Sequence, residues 1–383
     1  MDAVHLKNDA VRAIRRGHPW VYADGVHESL EPGKFVRLLD RKGTELAWAI
    51  SDEGGIALRV LPGQPMGLSD FLEQRLARAD GIRTRLIAPD TDAYRVVNAA
   101  GDGLPGIVLD RYGGLAVVRL YSAGWACHVQ AIVDAVARLP WVEMVYRRYG
   151  VKRVDGRKGG VLLKGGSLPE QLVVQEHGVR FLVRPGRGQK TGLFLDQREN
   201  RRRVGRLSAG HRVLNLFGYN GGFSVYAALG GAARVETVDV AGAALEDAKE
   251  NFRLNGLSVD AHAFHAADVF KWDPVGKAGL VVCDPPSLTH AQGADGSARK
   301  AYARLNSKVS RWVTSEGLLA TASCTARLSD SEWDSAVFDG VSETGRWSLL
   351  MRCGAPLDHP VALAHPEGRY LKFALLTRLA ARL

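Results

Sequence analysis

The sequence predicts an α/β protein built from three parts. Residues 186–383 are predicted to form a mostly parallel, doubly wound sheet, preceded by a small N-terminal β-barrel over residues 1–70 and a central α+β domain over residues 71–185. Three observations support this prediction. Residues 213–239 follow a strand–turn–helix–strand pattern, strands and helices alternate from about residue 200 onward, and short apolar runs separated by turn residues fill the N-terminal part.

The stretch from residue 213 to residue 239 has the pattern of a nucleoside-binding unit. An apolar run from Val213 to Phe217 predicts a buried parallel strand. The glycines that follow, Gly218 and Gly221-Gly222, allow a sharp turn and a close approach of the backbone to a ligand. Asp239 ends the second strand, at the position where doubly wound folds hydrogen-bond a ribose.

The turn in this unit argues against a dinucleotide cofactor. It lacks the GxGxxG pattern, because Phe217 and Tyr219 stand where a dinucleotide enzyme would have glycine. Backbone amides and the following helix N-terminus can still meet a small charged nucleoside. Asp268 follows the third strand, where its carboxylate could accept a hydrogen bond from an adenine amino group. For either acid alone, a solvated loop carboxylate is the alternative interpretation.

Two later strand ends carry groups suited to chemistry on a nucleobase. Asp284 ends an apolar strand, and Pro285-Pro286 forces a rigid, extended exit from it. Such a turn presents main-chain carbonyls and one carboxylate to a flat base. The next predicted strand ends at Ser323-Cys324-Thr325, which places Cys324 at the sheet edge where ligands bind in this architecture.

A thiol at that edge is a candidate nucleophile. Addition of a thiolate to C6 of a pyrimidine makes C5 nucleophilic enough to accept a methyl group, and a base must then remove the C5 proton. The alternative is a buried structural cysteine. Cys283 is predicted to be that kind of residue, because strand alternation points its side chain away from the side of Asp284. Cys127 and Cys353 are also predicted to be structural.

The segment before the nucleoside-binding strand, GRGQKTGLFLDQRENRRRV, is strongly cationic and rich in glycine. Because this segment directly precedes the nucleoside-binding strand, it can fold over the pocket, where Lys190 would contact RNA phosphates. Gln197 and Arg198 can supply directional hydrogen bonds. A solvated basic loop would explain the arginines at 201–203, but not the GQKTGLFLDQR pattern.

Near the N-terminus, basic residues precede aromatic ones. Arg15 and Arg16 lie shortly before Trp20, a pattern that suits phosphate contact combined with base stacking. A core tryptophan beside solvated arginines is the alternative. The net charge of +10 and the pI of about 9.5 favour a polyanionic partner.

Composition limits the remaining classes. The 383 residues are 46% apolar and 24% charged, as in ordinary globular domains. No apolar run is long enough to cross a bilayer, and the N-terminus has no apolar signal core, so we expect a cytoplasmic protein without membrane association. The four cysteines form no CxxC pair, so neither a metal site nor a disulfide framework is predicted.

The chain resembles the PUA-containing, class I S-adenosylmethionine-dependent methyltransferases that form 5-methylcytosine in 23S ribosomal RNA of the large subunit. The resemblance covers nearly the whole chain. It rests on GHPWVY at the N-terminus, GDGLPGIVLDRYG from Gly101, GQKTGLFLDQRENR from Gly188, NLFGYNGGF from Asn215, NFRLN from Asn251, the DPP and SC turns, and HP, PEG and YLK near the C-terminus.

The resemblance implies an RNA methyltransferase with S-adenosylmethionine as methyl donor, large-subunit ribosomal RNA as partner and a possible homodimer. It implies Cys324 as nucleophile and Asp284 as the residue that orients or deprotonates the cytosine. The residues expected to contact the cofactor are Gln197, Arg198, Asn215, Phe217, Gly218, Tyr219, Asn220, Gly221, Asp239, Asp268 and Asp284. Those expected to contact RNA are Arg15, Arg16, Trp20, Lys190, Pro285 and Pro286.

Three other functions stay open at this point. An N-methyltransferase acting on guanine or an amine would need only the DPP turn. An RNA-binding assembly protein would need none of Asp239, Asp268, Asp284 and Cys324. A nicotinamide oxidoreductase is disfavoured by the turn sequence.

Overall fold

The computed structural model describes residues 1–186, 193–288 and 295–381. The chain divides into two compact units. Unit 1 comprises residues 1–178, 183–195 and 357–368, and unit 2 comprises residues 179–182, 196–356 and 369–383. The division at residues 70 and 185 made from the sequence stays a prediction.

The first sheet of unit 1 is mixed and has the strand order β1-β3-β4-β5-β2. Its strands are β1 (Asp2–His5), β2 (Trp20–Tyr22), β3 (Phe35–Leu39), β4 (Glu45–Ser51) and β5 (Ile56–Leu61), and helix α1 (Asn8–Arg15) follows β1. Helix α1 buries Val11 and Ile14 in an apolar cluster with Val36 and Leu58, which closes one side of this sheet.

The second sheet of unit 1 has the order β10-β9-β8-β7-β6. Its strands are β6 (Ala93–Asn98), β7 (Ile107–Tyr112), β8 (Leu115–Leu120), β9 (Met144–Arg148) and β10 (Gly160–Lys164). The accompanying helices are α2 (Leu68–Leu86), α3 (Val129–Val136) and α4 (Lys152–Asp155), and strand β11 (Leu172–Glu176) follows. Trp48 of the first sheet shares one buried cluster with Val97 and Leu109 of the second, so the two sheets of unit 1 share a core.

The segment 357–368 completes unit 1 although it lies near the C-terminus. The buried Asp358 accepts a hydrogen bond from the Arg95 amide (2.9 Å), and its carbonyl accepts one from the Arg83 guanidinium (2.8 Å). The Pro360 carbonyl accepts a hydrogen bond from the Asn98 side chain (2.9 Å). These contacts satisfy polar groups that would otherwise be buried without partners.

Unit 2 is built on a seven-stranded sheet with the order β15-β14-β13-β16-β17-β19-β18. Its strands are β13 (Arg212–Leu216), β14 (Arg234–Asp239), β15 (Ala263–Ala266), β16 (Ala278–Cys283), β17 (Val313–Ser323), β18 (Gly345–Cys353) and β19 (Lys372–Ala381). Strand β12 (Val179–Val183) precedes them in the chain and lies outside this sheet. The helices are α5 (Arg198–Arg206), α6 (Gly222–Leu229), α7 (Gly242–Leu254), α8 (Asp295–Ser310) and α9 (Asp330–Ser342). Strands β13 to β17 run parallel, and β19 is antiparallel to β17 and β18.

Both faces of this sheet are covered, as a doubly wound sheet requires. Leu216 and Cys283 belong to the cluster with Tyr302 of α8 and Trp333 of α9. Val213 and Val282 face the other way, into the cluster with Phe223 of α6. The apolar run in each central strand is therefore explained by burial on two sides. The carboxyl ends of five parallel strands consequently meet at one edge.

The junction between α8 and β17 lies earlier in the chain than the sequence pattern indicates. Residues 298–314 have the pattern of a helix and residues 317–323 that of a strand, but α8 ends at Ser310 and β17 begins at Val313. The register of β17 against β16 shifts between Ala278 and Leu280, and Glu316 has a positive φ of 62° beside Gly317. In the sequence, Glu316-Gly317 resembles a turn between two elements, whereas in the structure it is an irregularity within the single strand β17.

Candidate active site

The turn after β13 is held in an uncommon backbone conformation. Phe217 and Tyr219 have positive φ angles of 57° and 46°, and Gly221, which precedes α6, has 75°. The Gly218 amide donates to the Val238 carbonyl at 2.9 Å, which ties the turn to β14. Non-glycine residues in this region cost of order 1–3 kcal/mol and cluster at ligand sites.

Asp239 lies at the end of β14, directly beside this turn. Its Oδ2 accepts a hydrogen bond from the Tyr219 amide (2.9 Å), and its Oδ1 accepts one from the Ala241 amide (2.8 Å). Each carboxylate oxygen has two acceptor positions, so the pair of backbone contacts fixes the carboxylate and leaves acceptor capacity. Asp239 can therefore hold a diol while its own orientation is set by the protein.

The turn glycines are needed for packing inside the protein, which the sequence interpretation missed. A Cβ at Gly218 would lie 2.5 Å from Thr237 Cγ2, and one at Gly221 would lie 2.8 Å from Ala248 Cβ. A Cβ at Gly222 would lie 2.8 Å from Arg201 Cδ. These positions let β14, α7 and α5 approach the turn closely, whereas the sequence explanation assigned the glycines to ligand approach.

Asn215, in β13, and Asn220, in the turn after it, are both buried. The Asn215 side chain donates to Ser224 Oγ (2.8 Å), and Ser224 Oγ lies 2.7 Å from the Thr237 hydroxyl. The Asn220 carbonyl accepts a hydrogen bond from Asn251 Nδ2 at 2.8 Å. Both residues therefore support the shape of the turn, and Asn215 Oδ1 is a buried acceptor with no partner among the described residues.

Asp268 follows β15 at the same sheet edge. Its Oδ1 accepts a hydrogen bond from the Phe270 amide at 3.0 Å. The Phe270 ring lies 5.8 Å from the Phe217 ring at an interplanar angle of 63°, and Phe270 is 49% exposed. Sequence reasoning missed Phe270, although an aromatic residue two positions after a strand-end acid is a usable signal. The exposed ring offers a flat apolar surface beside the carboxylate.

The segment around Gln197 is buried in unit 2. Asp196 accepts a hydrogen bond from the Tyr370 hydroxyl at 2.7 Å. Gln197 is 2% exposed, and its Oε1 accepts from Asn200 Nδ2 (2.7 Å), whereas its Nε2 has no partner among the described residues. Arg198 is 1% exposed and contacts Glu199 at 3.2 Å. A buried amide donor without a protein acceptor is the kind of group that a polar ligand satisfies.

Asp284 and Cys324 follow neighbouring parallel strands. Cys283 of β16 pairs in register with Thr321 of β17, so Asp284 and Cys324 lie at the same edge of the sheet. The side chains of Asp284 and Cys324 are half-buried. Pro285 is buried and Pro286 is exposed. This edge thus combines a carboxylate and a thiol with the turn at Phe217, which follows the adjacent strand β13.

Tyr302 links these two strand ends, and sequence reasoning did not find it. The side chain is fully buried, and its hydroxyl accepts a hydrogen bond from Ser323 Oγ at 2.9 Å. Burial raises the pKa of Tyr302 to about 12, and negative charge on Cys324 and Asp284 acts in the same direction. Hydrogen bonds from Ser323 and from the Leu288 backbone oppose that rise. The charges at both strand ends therefore act on the pKa of Tyr302.

The comparisons with known proteins identify this arrangement. A family model described as S-adenosylmethionine-dependent methyltransferase matches residues 129–330, and one described as a PUA-like domain matches residues 4–62. The chain belongs to the S-adenosylmethionine-dependent methyltransferase family. Its cofactor is S-adenosylmethionine, and both the predicted fold class and the resemblance to PUA-containing methyltransferases are confirmed.

Relatives and solved structures agree with this assignment. A ribosomal RNA large subunit methyltransferase of Deinococcus radiodurans is 40% identical, with 95% of this chain and 94% of the relative covered. The ribosomal RNA large subunit methyltransferase I of Tolumonas auensis is 35% identical, with 96% and 97% covered. A solved structure from Streptococcus mutans, described as a SAM-dependent methyltransferase, has 23% identity and a TM-score of 0.87, covering 98% of this chain and 100% of that one. It shows the same fold.

The residues of the methyltransferase fit the cofactor. The Asp239 carboxylate retains acceptor capacity, Phe270 is exposed beside Asp268, and Gln197 Nε2 and Asn215 Oδ1 are buried polar atoms without partners in the described part of the chain. These groups suit the ribose, the adenine and the polar methionine end of the molecule, respectively, with Gln197 as a donor.

The other cysteines and the basic residues lie as follows. Cys283 is fully buried in an apolar cluster, and burial raises its pKa well above the usual range, which confirms it as core. Cys127 is exposed and Cys353 is half-buried. Lys190 lies outside the described residues.

The N-terminal residues predicted to contact RNA lie in unit 1 and differ in accessibility. Arg15 is exposed and contacts Asp40 at 3.0 Å, and Arg16 is exposed. Trp20 packs against His365, with 4.1 Å between ring centroids, and under the Arg59 guanidinium at 5.8 Å. Much of the Trp20 ring is thus occupied by protein contacts.

The described residues contain no cluster of three or more histidine, cysteine or acidic residues placed to hold a metal ion. Within the same ranges, no helix has the length and hydropathy needed to cross a membrane.

Proposed function

We propose that this methyltransferase forms 5-methylcytosine in large-subunit ribosomal RNA through a covalent adduct between Cys324 and cytosine C6. The observation that carries the proposal is a half-buried thiol directly after β17, at the sheet edge where Asp284 follows the neighbouring parallel strand β16. The names of the Deinococcus and Tolumonas relatives support ribosomal RNA as the substrate. The net charge of +10 suits such a polyanion.

The chemistry assigns distinct tasks to the two side chains. The Cys324 thiolate adds to C6, forming the S–C6 bond and shifting the C5–C6 π electrons so that C5 becomes nucleophilic. Bound S-adenosylmethionine supplies an electrophilic methyl group. Asp284 orients the cytosine through its amino group or ring nitrogen. After methylation, a base removes the C5 proton, the C5–C6 double bond forms again, and the S–C6 bond breaks to release the thiolate.

We propose the remaining assignments as follows. Asp239 would hold the ribose and Asp268 the adenine, with Phe270 as a stacking surface, while Gln197 and Arg198 would lie near the cofactor. Arg15, Arg16, Trp20 and Lys190 would contact RNA, as would Pro285 and Pro286 at the base. We also propose a homodimer and a cytoplasmic location; light scattering of the purified protein tests the first.

Nucleoside analysis tests the reaction. Purified protein is incubated with methyl-labelled S-adenosylmethionine and ribosomal RNA from cells that lack the protein, and the digested RNA is separated. We expect the label in 5-methylcytidine. Label in a methylated purine would instead support the N-methyltransferase, in which the DPP turn suffices. RNA binding without methyl transfer and without cofactor binding would support the assembly protein. Binding of NAD in place of S-adenosylhomocysteine would support the oxidoreductase.

Trapping tests the covalent step separately. RNA containing 5-fluorocytidine has no C5 proton to remove, so the adduct should persist on a denaturing gel in the presence of the methyl donor. We expect the band with the wild type and with Cys353→Ser, and its loss with Cys324→Ser. Full activity of Cys324→Ser would contradict covalent catalysis.

A further inference from the structure

Lys372 is a buried cation directly beside the segment that carries Cys324. It is the first residue of β19, pairs in register with Ser323, and is 1% exposed. Its Nζ donates a hydrogen bond to the Thr325 carbonyl at 2.8 Å. Lys372 thus fixes the chain on both sides of Cys324, through its strand pairing before the thiol and its ammonium after it.

This ammonium lacks a close carboxylate. Among the residues that the structure describes, no carboxylate oxygen lies within 4.0 Å of Lys372 Nζ; the nearby acids Asp330 and Asp334 of α9 instead contact the Arg352 guanidinium at 3.2 and 2.7 Å. Burying an ammonium without a full counter-charge is costly, and one carbonyl uses only one of its three donors.

The charges around Lys372 act as follows. Burial lowers the pKa of Lys372, and the nearby Arg352 acts in the same direction, whereas Asp330, Asp334 and a thiolate at Cys324 raise it. Electrostatic interaction is reciprocal, so an ammonium that is stabilised by the thiolate also stabilises the thiolate. The neighbouring acids are already paired with Arg352, and Lys372 favours the ionisation of the Cys324 thiol along with theirs.

We propose that Lys372 is a positioning residue that holds the Cys324 segment at the sheet edge and favours the thiolate form of Cys324. The role in methyl transfer rests on the proposed function, but the effect on the thiol does not. YLK belongs to the motifs that carry the family resemblance, and this contact gives its lysine a physical task.

The test measures thiol reactivity without RNA or cofactor. Alkylation of Cys324 by iodoacetamide is followed by peptide mass spectrometry between pH 6 and pH 10, with the exposed Cys127 of the same molecule as internal reference. The partial burial of Cys324 and the negative charge of Asp284 both disfavour the thiolate, so the quantity that tests the proposal is the change in the Cys324 midpoint on substitution of Lys372, measured against an unchanged Cys127 midpoint.

Two substitutions separate charge from hydrogen bonding. Lys372→Gln keeps an amide donor for the Thr325 carbonyl but removes the charge, and it should shift the Cys324 midpoint upward by about one pH unit, which is about a tenfold lower rate near neutral pH. Lys372→Arg keeps the charge and should retain most of the wild-type profile. An unchanged midpoint in Lys372→Gln would leave Lys372 as an anchor of Thr325 alone.

Arg378→Met is the matched control. Arg378 is another buried cation on β19, 7% exposed, and it donates to the Val313 carbonyl at the opposite end of β17 (2.9 Å). Its loss should destabilise the fold and leave the Cys324 profile unchanged. If the Cys324 midpoint shifts in Lys372→Gln but the wild type forms no 5-methylcytosine, the proposed function is contradicted and this inference stands. If the wild type forms 5-methylcytosine but the midpoint does not shift, this inference is contradicted and the proposed function stands.

Discussion

The Ser323 hydroxyl donates a hydrogen bond to the Tyr302 hydroxyl at 2.9 Å, one residue before the proposed nucleophile. The Leu288 backbone, in the segment that follows Asp284, also acts on this hydroxyl and lowers the pKa of Tyr302. A single buried phenol on α8 thus connects the two turns in which the proposed base-binding carboxylate and thiol lie. Its removal should disturb both turns together.

Tyr302→Phe should therefore reduce both stability and activity. Loss of the phenol oxygen leaves the buried Ser323 hydroxyl without its acceptor, which costs about 1–3 kcal/mol. Urea unfolding should show that loss, and the turnover number for methyl transfer should fall more than the apparent affinity for S-adenosylhomocysteine.

Tyr94→Phe provides the control for this prediction. Tyr94 is a buried tyrosine of unit 1 whose hydroxyl accepts a hydrogen bond from Arg111 at 2.9 Å. Its loss should cost comparable stability with unchanged turnover. If Tyr302→Phe kept the wild-type turnover number, the link between the two turns would have no part in the reaction.

The same residue predicts a pH dependence of stability. The ordinary pKa of tyrosine is 10.0, and that of Tyr302 is raised to about 12. Between these values the unfolded chain releases the proton while the folded protein retains it, so the stabilisation is complete below pH 10 and is lost as the pH rises towards 12. Tyr302→Phe should lessen the fall in the free energy of unfolding between pH 9 and pH 11, measured by urea titration, by about 1 kcal/mol. An identical fall in both proteins would exclude this contribution.

Asp239→Asn should weaken cofactor binding. The substitution replaces a charged acceptor that two backbone amides orient, and hydrogen bonds to charged groups contribute about 1.5–3 kcal/mol, so the dissociation constant for S-adenosylhomocysteine should rise roughly 10- to 100-fold. Isothermal titration calorimetry measures it. Glu246→Gln on the exposed face of α7 is the control, and equal affinities for the two variants would argue against a ribose contact.

Gly218→Ala should destabilise the turn by steric conflict. The added Cβ would lie 2.5 Å from Thr237 Cγ2, and overpacking of this kind costs about 1–3 kcal/mol. Thr237→Ser removes that methyl group and keeps the hydroxyl near Ser224, so the double variant should recover much of the stability in thermal or urea unfolding. Additive losses in the double variant would show that Thr237 is not the conflicting group.

The parts of this structure that were predictable from sequence are those with local patterns. Strand runs such as Val213–Leu216, their two-sided apolar character, and the acids at the strand ends follow from periodicity and turn residues. The orientation of Cys283 into the core follows from strand alternation. These features depend on near neighbours in the chain.

Tyr302 and Lys372 could not be assigned roles from sequence for a different reason. Tyr302 is one of several apolar-face residues of α8, and its contact with Ser323 spans 21 positions. Lys372 resembles any lysine at the start of a strand until the strand pairing places Ser323 opposite it. Tertiary pairing decides both, and single-sequence patterns do not encode it. The β17 irregularity was missed because Glu316-Gly317 is also typical of a turn between elements.

Segment 357–368 has a consequence for the biogenesis of the protein. Asp358 accepts two hydrogen bonds from residues much earlier in the chain. Its carbonyl accepts one from the Arg83 guanidinium, and its carboxylate accepts one from the Arg95 amide. During synthesis from the N-terminus, these acceptors leave the ribosome only after most of the chain. We therefore expect unit 1 to reach its final hydrogen bonding after translation is nearly finished. A chain that stops prematurely before residue 357 would keep buried donors unsatisfied and should be a preferred target of cellular proteases.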